Sequence, residues 1–216
     1  MQHLVLMGDS IFDNGPYVDE GESVSEVLAV LLKGRAKVTL LAVDGDCSTD
    51  VPKQLQRLPE DASLVVISCG GNDALHAFYE ICCEPVSSIE QALGCFVAIR
   101  EKFRSDYKQL LQSTLERVDH VAVCTVYSSM PETSELPETS DRALALLALF
   151  NEIILQEAAA LRLPIVDLRS VCVDSGDYSE LSPIEPSGTG AMKISNVIGT
   201  MLDRHDFTAG YSALYL

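Results

Sequence analysis

His3-Leu4-Val5-Leu6-Met7-Gly8-Asp9-Ser10-Ile11-Phe12-Asp13-Asn14 opens as a short apolar run and stops abruptly at a Gly-Asp-Ser turn. An apolar run of this length, bounded by turn residues, is the mark of a strand buried on both faces of a parallel sheet, with the polar cluster at its carboxyl end. In open α/β sheets, ligands bind at that end. Gly8 permits the tight turn, and a Ser raised off a strand end is a candidate nucleophile. Asp and Ser are ordinary turn residues, so the tripeptide by itself reads more often as a plain strand-to-helix loop.

The rest of the chain repeats this punctuation. Ser23-x-x-Glu26 is a capping box for a helix carrying Val24, Val27, Leu28, Leu31 and Leu32 on one face, ended by Gly34. A second strand, Lys37 to Val43, stops at Asp44-Gly45-Asp46-Cys47-Ser48-Thr49, and a helix through Leu58 follows with Pro52 in its first turn. Leu64-Val65-Val66-Ile67-Ser68 is a third strand ending in Cys69-Gly70-Gly71-Asn72-Asp73, and a loosely polar loop is expected from there through Pro85. Ser88-x-x-Gln91 caps a long helix to about Val118, and His120 to Val126 is strand four. Tyr127 to Thr139 reads as a mobile lid, Ser140 as the cap of a largely buried Ala/Leu-rich helix over 141–161, and Pro164 to Leu168 as strand five. A loop from Asp174 to Pro186 leads to a last helix from about Ser187 to Leu202. Five strands alternating with helices predict a five-stranded, parallel, doubly wound sheet between helical layers. One domain over residues 1–206 is expected, with an apolar tail, 207–216, that packs on its own domain or across a dimer contact.

Composition narrows the function. A chain of 216 residues buries roughly 70% of its unfolded surface and needs no staples. Fifteen basic against thirty-two acidic side chains give a net charge of −17, which repels nucleic acid and anionic lipid. The amino terminus lacks a signal sequence and no membrane span is expected, so the location read from the sequence is cytoplasmic. Seven Cys, in or beside apolar segments and with Cys82 and Cys83 adjacent, fit reduced thiols, and no pair at metal spacing occurs. No cofactor or metal is expected, and the chain reads as a monomer or homodimer.

In a doubly wound sheet the first three strands are neighbours, so Ser10, Gly45 and Asn72 converge on one crevice. That set suits acyl transfer: a Ser oxygen attacks a carbonyl, and the oxyanion takes hydrogen bonds from the Ser10 or Gly45 N–H and the Asn72 amide. Phosphoryl chemistry on Asp9 is disfavoured, because no Lys or Arg lies nearby in sequence to hold phosphate. No G-x-S-x-G elbow occurs either.

Gly8-Asp9-Ser10-Ile11, Gly45 and Gly70-Gly71-Asn72-Asp73 resemble, in order and spacing, the first three sequence blocks of the SGNH, or GDSL-type, hydrolases. Glu185-Pro186-Ser187-Gly188-Thr189-Gly190-Ala191-Met192-Lys193-Ile194 is similar to that family's fifth block and the helix after it, so the resemblance covers nearly the whole chain. It implies a three-layer α/β/α, flavodoxin-like sandwich and hydrolysis of a small acyl ester or thioester without a metal. By position, Ser10 is then the nucleophile, with its own N–H, the Gly45 N–H and Asn72 as the oxyanion hole. Asp9, Asp73, His76 and Ser182 complete the expected substrate contacts.

One block departs from the pattern. Where the family has Asp-x-x-His, this chain reads Ser182-Pro183-Ile184-Glu185. Either Glu185 serves as the base of an unusual serine hydrolase, or the site binds an acyl or glycosyl ligand without turnover. The substitution is paired, since a carboxylate beside Asp would meet repulsion that Ser182 removes. Of the four histidines, His3 and His120 begin strands at the far end of the sheet and His205 is expected on the surface. His76, four residues after Asn72, is the alternative base.

Overall fold

The computed structural model describes residues 1–83, 85–128 and 137–216. Among the described residues six parallel strands form one sheet: β1 (Gln2–Gly8), β2 (Ala36–Leu40), β3 (Leu64–Ser68), β4 (Val121–Cys124), β5 (Ile165–Val166) and β6 (Leu214–Tyr215), in the order β2-β1-β3-β4-β5-β6. The helices are α1 (Val24–Leu31), α2 (Val51–Gln54), α3 (Gly71–Cys83), α4 (Ile89–Leu115), α5 (Pro137–Ala160), α6 (Leu168–Val171) and α7 (Gly188–Arg204). α1 packs on α7, while α3, α4 and α5 pack on one another. Leu4 to Met7, Leu64 to Ile67 and Val121 to Cys124 are buried throughout, as central strands covered on both faces require. Each such Leu, Ile or Val contributes roughly 1.5–3 kcal/mol by leaving water.

The helix starts follow from their caps. The Ser23 hydroxyl accepts from the Glu26 N–H while the Glu26 carboxylate accepts from the Ser23 N–H, closing the box read from the sequence. Ser88 and Ser187 accept from the Gln91 and Gly190 N–H groups in the same way. Such caps are worth about 1 kcal/mol each.

Four expectations are corrected. The stretch after Asn72 is a helix, α3, because Ala74, Ala77 and Phe78 are buried and Ile81 packs beside them, the i, i+3, i+4, i+7 spacing of an amphipathic face. α5 begins at Pro137 rather than after Ser140, and it is buried on one side only: Leu146, Phe150, Ile153, Ile154 and Ala158 enter the core, but Ala145, Ala148 and Glu152 face solvent. Alanine on that outer side serves helix propensity rather than burial. By length and composition, residues 141–160 are apolar enough to cross a membrane, yet the buried side is part of the protein's own core.

The other two corrections concern the chain's last turn. The tail supplies a sixth strand, with the Ile165 N–H donating to the Ala213 carbonyl at 2.8 Å and the Asp167 N–H to the Tyr215 carbonyl at 2.9 Å. His205 is buried instead of exposed: its Nδ1 lies 3.1 Å from the Tyr215 hydroxyl, and Phe207 and Tyr211 meet it edge-on. Burial lowers its pKa. A two-residue strand is too short to show a period, which is why the tail read only as apolar. Of the expected lid, residues 129–136 lie outside the described residues.

Candidate active site

Gly8 closes β1 with φ near +133°, and a Cβ there would stand 1.8 Å from the Ser68 carbonyl oxygen. Only glycine lets β1 and β3 approach so closely at this point, where the Asp9 N–H donates to that carbonyl at 3.1 Å. The chain then folds back, with the Phe12 and Asp13 N–H groups both donating to the Asp9 carbonyl at 3.1 Å. Ser10 is left at the crest of the turn, 8% exposed. Gly45 follows β2 with φ near +84°, a region that an L side chain disfavours. Among the described residues neither the Ser10 nor the Gly45 N–H has a hydrogen-bond partner.

Asn72 sits in the first turn of α3, and its Nδ2 donates to the Asp46 carbonyl at 3.1 Å. One amide proton is thereby fixed and the other is free for a ligand. Asp73 accepts from the Ser48 N–H at 2.9 Å and from the Ser48 hydroxyl at 2.6 Å, tying this turn to the loop after β2. Burial raises the Asp73 pKa against those bonds.

The segment carrying Glu185 is pinned on both sides. Asn14, fully buried, donates from Nδ2 to the Pro186 carbonyl at 3.0 Å and accepts at Oδ1 from the Val24 N–H at 2.9 Å. The Tyr127 hydroxyl donates to the Ile184 carbonyl, and the Ser179 N–H to the Glu185 carbonyl at 2.9 Å. The Glu185 carboxyl is therefore held in place, 4% exposed. Its pKa is raised by burial and drawn back down by the Ser182 and Ser10 hydroxyls, while Oε2 is buried without a well-directed hydrogen-bond partner. Ser182, three residues earlier in the same segment, thus faces Glu185.

Asp9 turns inward, 2% exposed, with Oδ1 accepting from the Ile11 N–H at 3.1 Å. Burial pushes its pKa up to about 8, and the Asp73 and Glu185 carboxylates push in the same direction. The unfolded chain releases this proton near pH 4 and the folded one retains it to about pH 8, so folding becomes less favourable as pH rises between those values. Each unit of the rise removes about 1.4 kcal/mol above that window. Asp9→Asn is accordingly expected to raise the melting temperature at pH 7 and leave it unchanged near pH 3, as thermal melts at the two pH values will read.

Asp9, Ser10 and Asn72 border a cleft whose remaining wall is apolar, formed by Ile11, Leu75, Val126, Leu147 and Ile184 among others. His76 lies elsewhere, exposed, with Nδ1 3.4 Å from the Cys47 sulfur, in a neighbouring cleft lined also by Asp73, Glu80 and Lys102. Burial, joined by the carboxylates around it, pushes the Cys47 thiol up to about 12. Among the described residues no three His, Cys, Asp or Glu are grouped to hold a metal ion.

A family model, that of the GDSL-like lipase/acylhydrolase family, matches residues 6–191, from the first strand to the helix after Glu185. The chain belongs to the GDSL-like lipase/acylhydrolase family. Solved structures of the same fold include the extracellular lipase of Streptomyces rimosus, 16% identical with a TM-score of 0.65 over 91% of this chain and 99% of that one. A lipolytic G-D-S-L protein of Veillonella parvula is 12% identical, with a TM-score of 0.69 over 95% and 100% of the two chains. An acetyl xylan esterase of Geobacillus stearothermophilus is 17% identical, with a TM-score of 0.63 over 90% and 91%. No curated protein sequence matches.

Within this GDSL-like chain, two asparagines that support the site went unread in the sequence. Asn14 joins the Ser10 turn to the Glu185 segment. Asn151 of α5 clamps Val126 in the cleft wall, accepting from its N–H and donating to its carbonyl, both at 2.8 Å. A lone Asn amid the apolar residues of a helix was the available signal, since buried amides are retained where the backbone needs a partner.

Proposed function

We propose that the protein is a serine hydrolase of small carboxylic esters or thioesters. The observation that carries this reading is a buried carboxylate, Glu185, facing the hydroxyl of Ser10 where the family has a histidine. The Ser10 proton passes to Glu185 as Oγ bonds to the acyl carbon. The carbonyl oxygen becomes an oxyanion that accepts from the Ser10 and Gly45 N–H groups and from Asn72 Nδ2. Glu185 then returns the proton to the departing alkoxide or thiolate, and water repeats the sequence on the acyl-enzyme. A free glutamate is a weak base for this task, and burial moves its pKa in the helpful direction. The apolar cleft beside Ser10 suits an acyl group, and Ser182 orients the carboxylate without the repulsion a second acid would bring. Free thiols at Cys47, Cys69, Cys95, Cys124 and Cys172 favour a reducing, cytoplasmic setting.

Hydrolysis of an activated ester by wild type and Asn72→Ala tests the reading. Loss of one oxyanion donor is expected to lower kcat by about 10²–10³ with the fold intact by circular dichroism. An unchanged rate removes Asn72 from the oxyanion hole. A wild type that hydrolyses neither esters nor thioesters, yet binds an acyl or glycosyl ligand, makes the protein a binding module.

A further inference from the structure

Gln54, the last residue of α2, is 1% exposed in an apolar neighbourhood where a methionine would be cheaper to bury. Its amide is engaged by polar groups from two separate turns. Oε1 accepts from the Gly8 N–H at 2.9 Å, and Nε2 donates to the Gly8 carbonyl at 2.7 Å and to Asp46 Oδ2 at 2.8 Å. Both amide protons are used, so the side chain has one orientation. Gly8 stands two residues before Ser10, and Asp46 directly follows Gly45. The Asp46 carbonyl in turn accepts from Asn72 Nδ2 at 3.1 Å. A continuous chain of hydrogen bonds therefore runs from Gly8 through Gln54 and Asp46 to Asn72.

From this chain we infer that Gln54 is a positioning residue, which sets the separation between the Ser10 turn and the two turns that supply the other oxyanion donors. The inference rests on the reading of Ser10, Gly45 and Asn72 as the acyl-transfer site. The physical reason is that an oxyanion donor is effective only about 2.7–3.1 Å from the place where the charge develops. β1 and β3 are hydrogen-bonded neighbours up to Gly8 and Ser68, so the sheet itself fixes the first and third turns. The β2–α2 loop that carries Gly45 is tied to β1 by the Val43 N–H, which donates to the Gly8 carbonyl at 3.1 Å, and to the Ser10 turn by the Asp44 N–H, which donates to Asp13 Oδ2 at 3.0 Å. Gln54 adds the link beyond Gly45, gripping both main-chain groups of Gly8 and the side chain of Asp46. It touches neither substrate nor reacting atoms.

The test compares Gln54→Met, which keeps the volume and removes all three bonds, with wild type on p-nitrophenyl acetate. Rates are taken per folded molecule, the folded fraction being read by circular dichroism. Gln54→Met is expected to lower kcat by about 10–10² with KM within about twofold, since a misplacement of the order of 1 Å costs that much. The rate of fluorophosphonate labelling of Ser10 should fall by the same factor, because the phosphoryl oxygen occupies the oxyanion's place. Gln54→Glu keeps the acceptor and loses both donors, and protonation restores one of them, so its kcat relative to wild type should climb as pH falls. Residues that merely fill space would not move that ratio.

Wild-type kcat in folded Gln54→Met overturns the inference, as does a kcat ratio for Gln54→Glu that is flat with pH. Should Gln54→Met not fold, Asp46→Ala takes its place: it removes one of the three bonds and is expected to lower kcat about threefold or more at unchanged KM, and an unchanged kcat counts against the inference. A wild type that hydrolyses no ester defeats the acyl-transfer reading itself, and this role for Gln54 with it; an active wild type whose Gln54 variants match it defeats the role alone.

Discussion

Replacing Ser10 by Ala is expected to reduce ester hydrolysis by roughly 10⁴-fold or more and to abolish labelling by a fluorophosphonate probe. In the proposed mechanism the hydroxyl oxygen bonds to the acyl carbon, and the neighbouring N–H donors cannot replace it. They can still stabilise the oxyanion formed when water is the attacking group. Residual turnover would come from water attacking a polarised carbonyl in the same cleft. Mass spectrometry of the labelled wild type should find the adduct on Ser10, since this Ser stands at a strand end with a carboxylate facing its hydroxyl. An adduct on another Ser, or equal labelling of Ser10→Ala, moves the nucleophile elsewhere. The fold should tolerate the change, because Ser10 bonds no other element through its hydroxyl except toward Glu185.

Glu185→Gln is expected to lower kcat by about 10⁴, the upper end of what a positioned base contributes. The pH profile is the sharper measurement. A carboxylate base works when ionised, so activity should be lost as pH falls through the Glu185 pKa and should level off above it. Burial has moved that ionisation above the ordinary 4.5. The charge on Glu185 also raises the pKa of Asp9, so the profile reports ionisations of the pair. Stability should move the other way. A folded pKa raised above the unfolded value costs stability at neutral pH, and Glu185→Gln removes that cost. An inactive variant with a higher melting temperature is the expected pairing. Glu185→His combined with Ser182→Asp should carry the ionisation toward about 6.5. If His76→Ala, rather than Glu185→Gln, removes the ionisation, the base is His76.

The fold was legible wherever one period and one boundary coincided. Leu64 to Ser68 reads as a strand to the residue, because its apolar run is closed by glycines. Ser23, Ser88 and Ser187 each announce a helix through a hydroxyl placed three residues before the N–H it accepts from. α3 was hidden because Gly71-Asn72-Asp73 are turn residues by habit, and here they form the first turn of a helix whose apolar face begins at Ala74. β6 was hidden by its length. Ser10, Gly45, Asn72 and Glu185, the residues of the proposed mechanism, were picked out by the resemblance of their blocks, in order and spacing, to those of the family. Asn14, Gln54 and Asn151 were not, since their partners are main-chain groups and a distant carboxylate, and nothing in a linear sequence says which carbonyl an amide will meet.

The strand order has a consequence for how this sheet meets its own kind. The strands richest in Val, Leu and Ile are interior, and the two borders are β2, with Lys37 exposed, and β6, only two residues long. A charged ammonium on one border discourages a foreign strand from docking, and the other border offers too few free amides to template one. β1, β3 and β4, which in isolation have the composition of aggregation-prone segments, are each flanked by a neighbour on either side. The hazard is thereby confined to the interval before β2 and β6 have joined, so aggregation in this protein should track its folding rate rather than its native concentration.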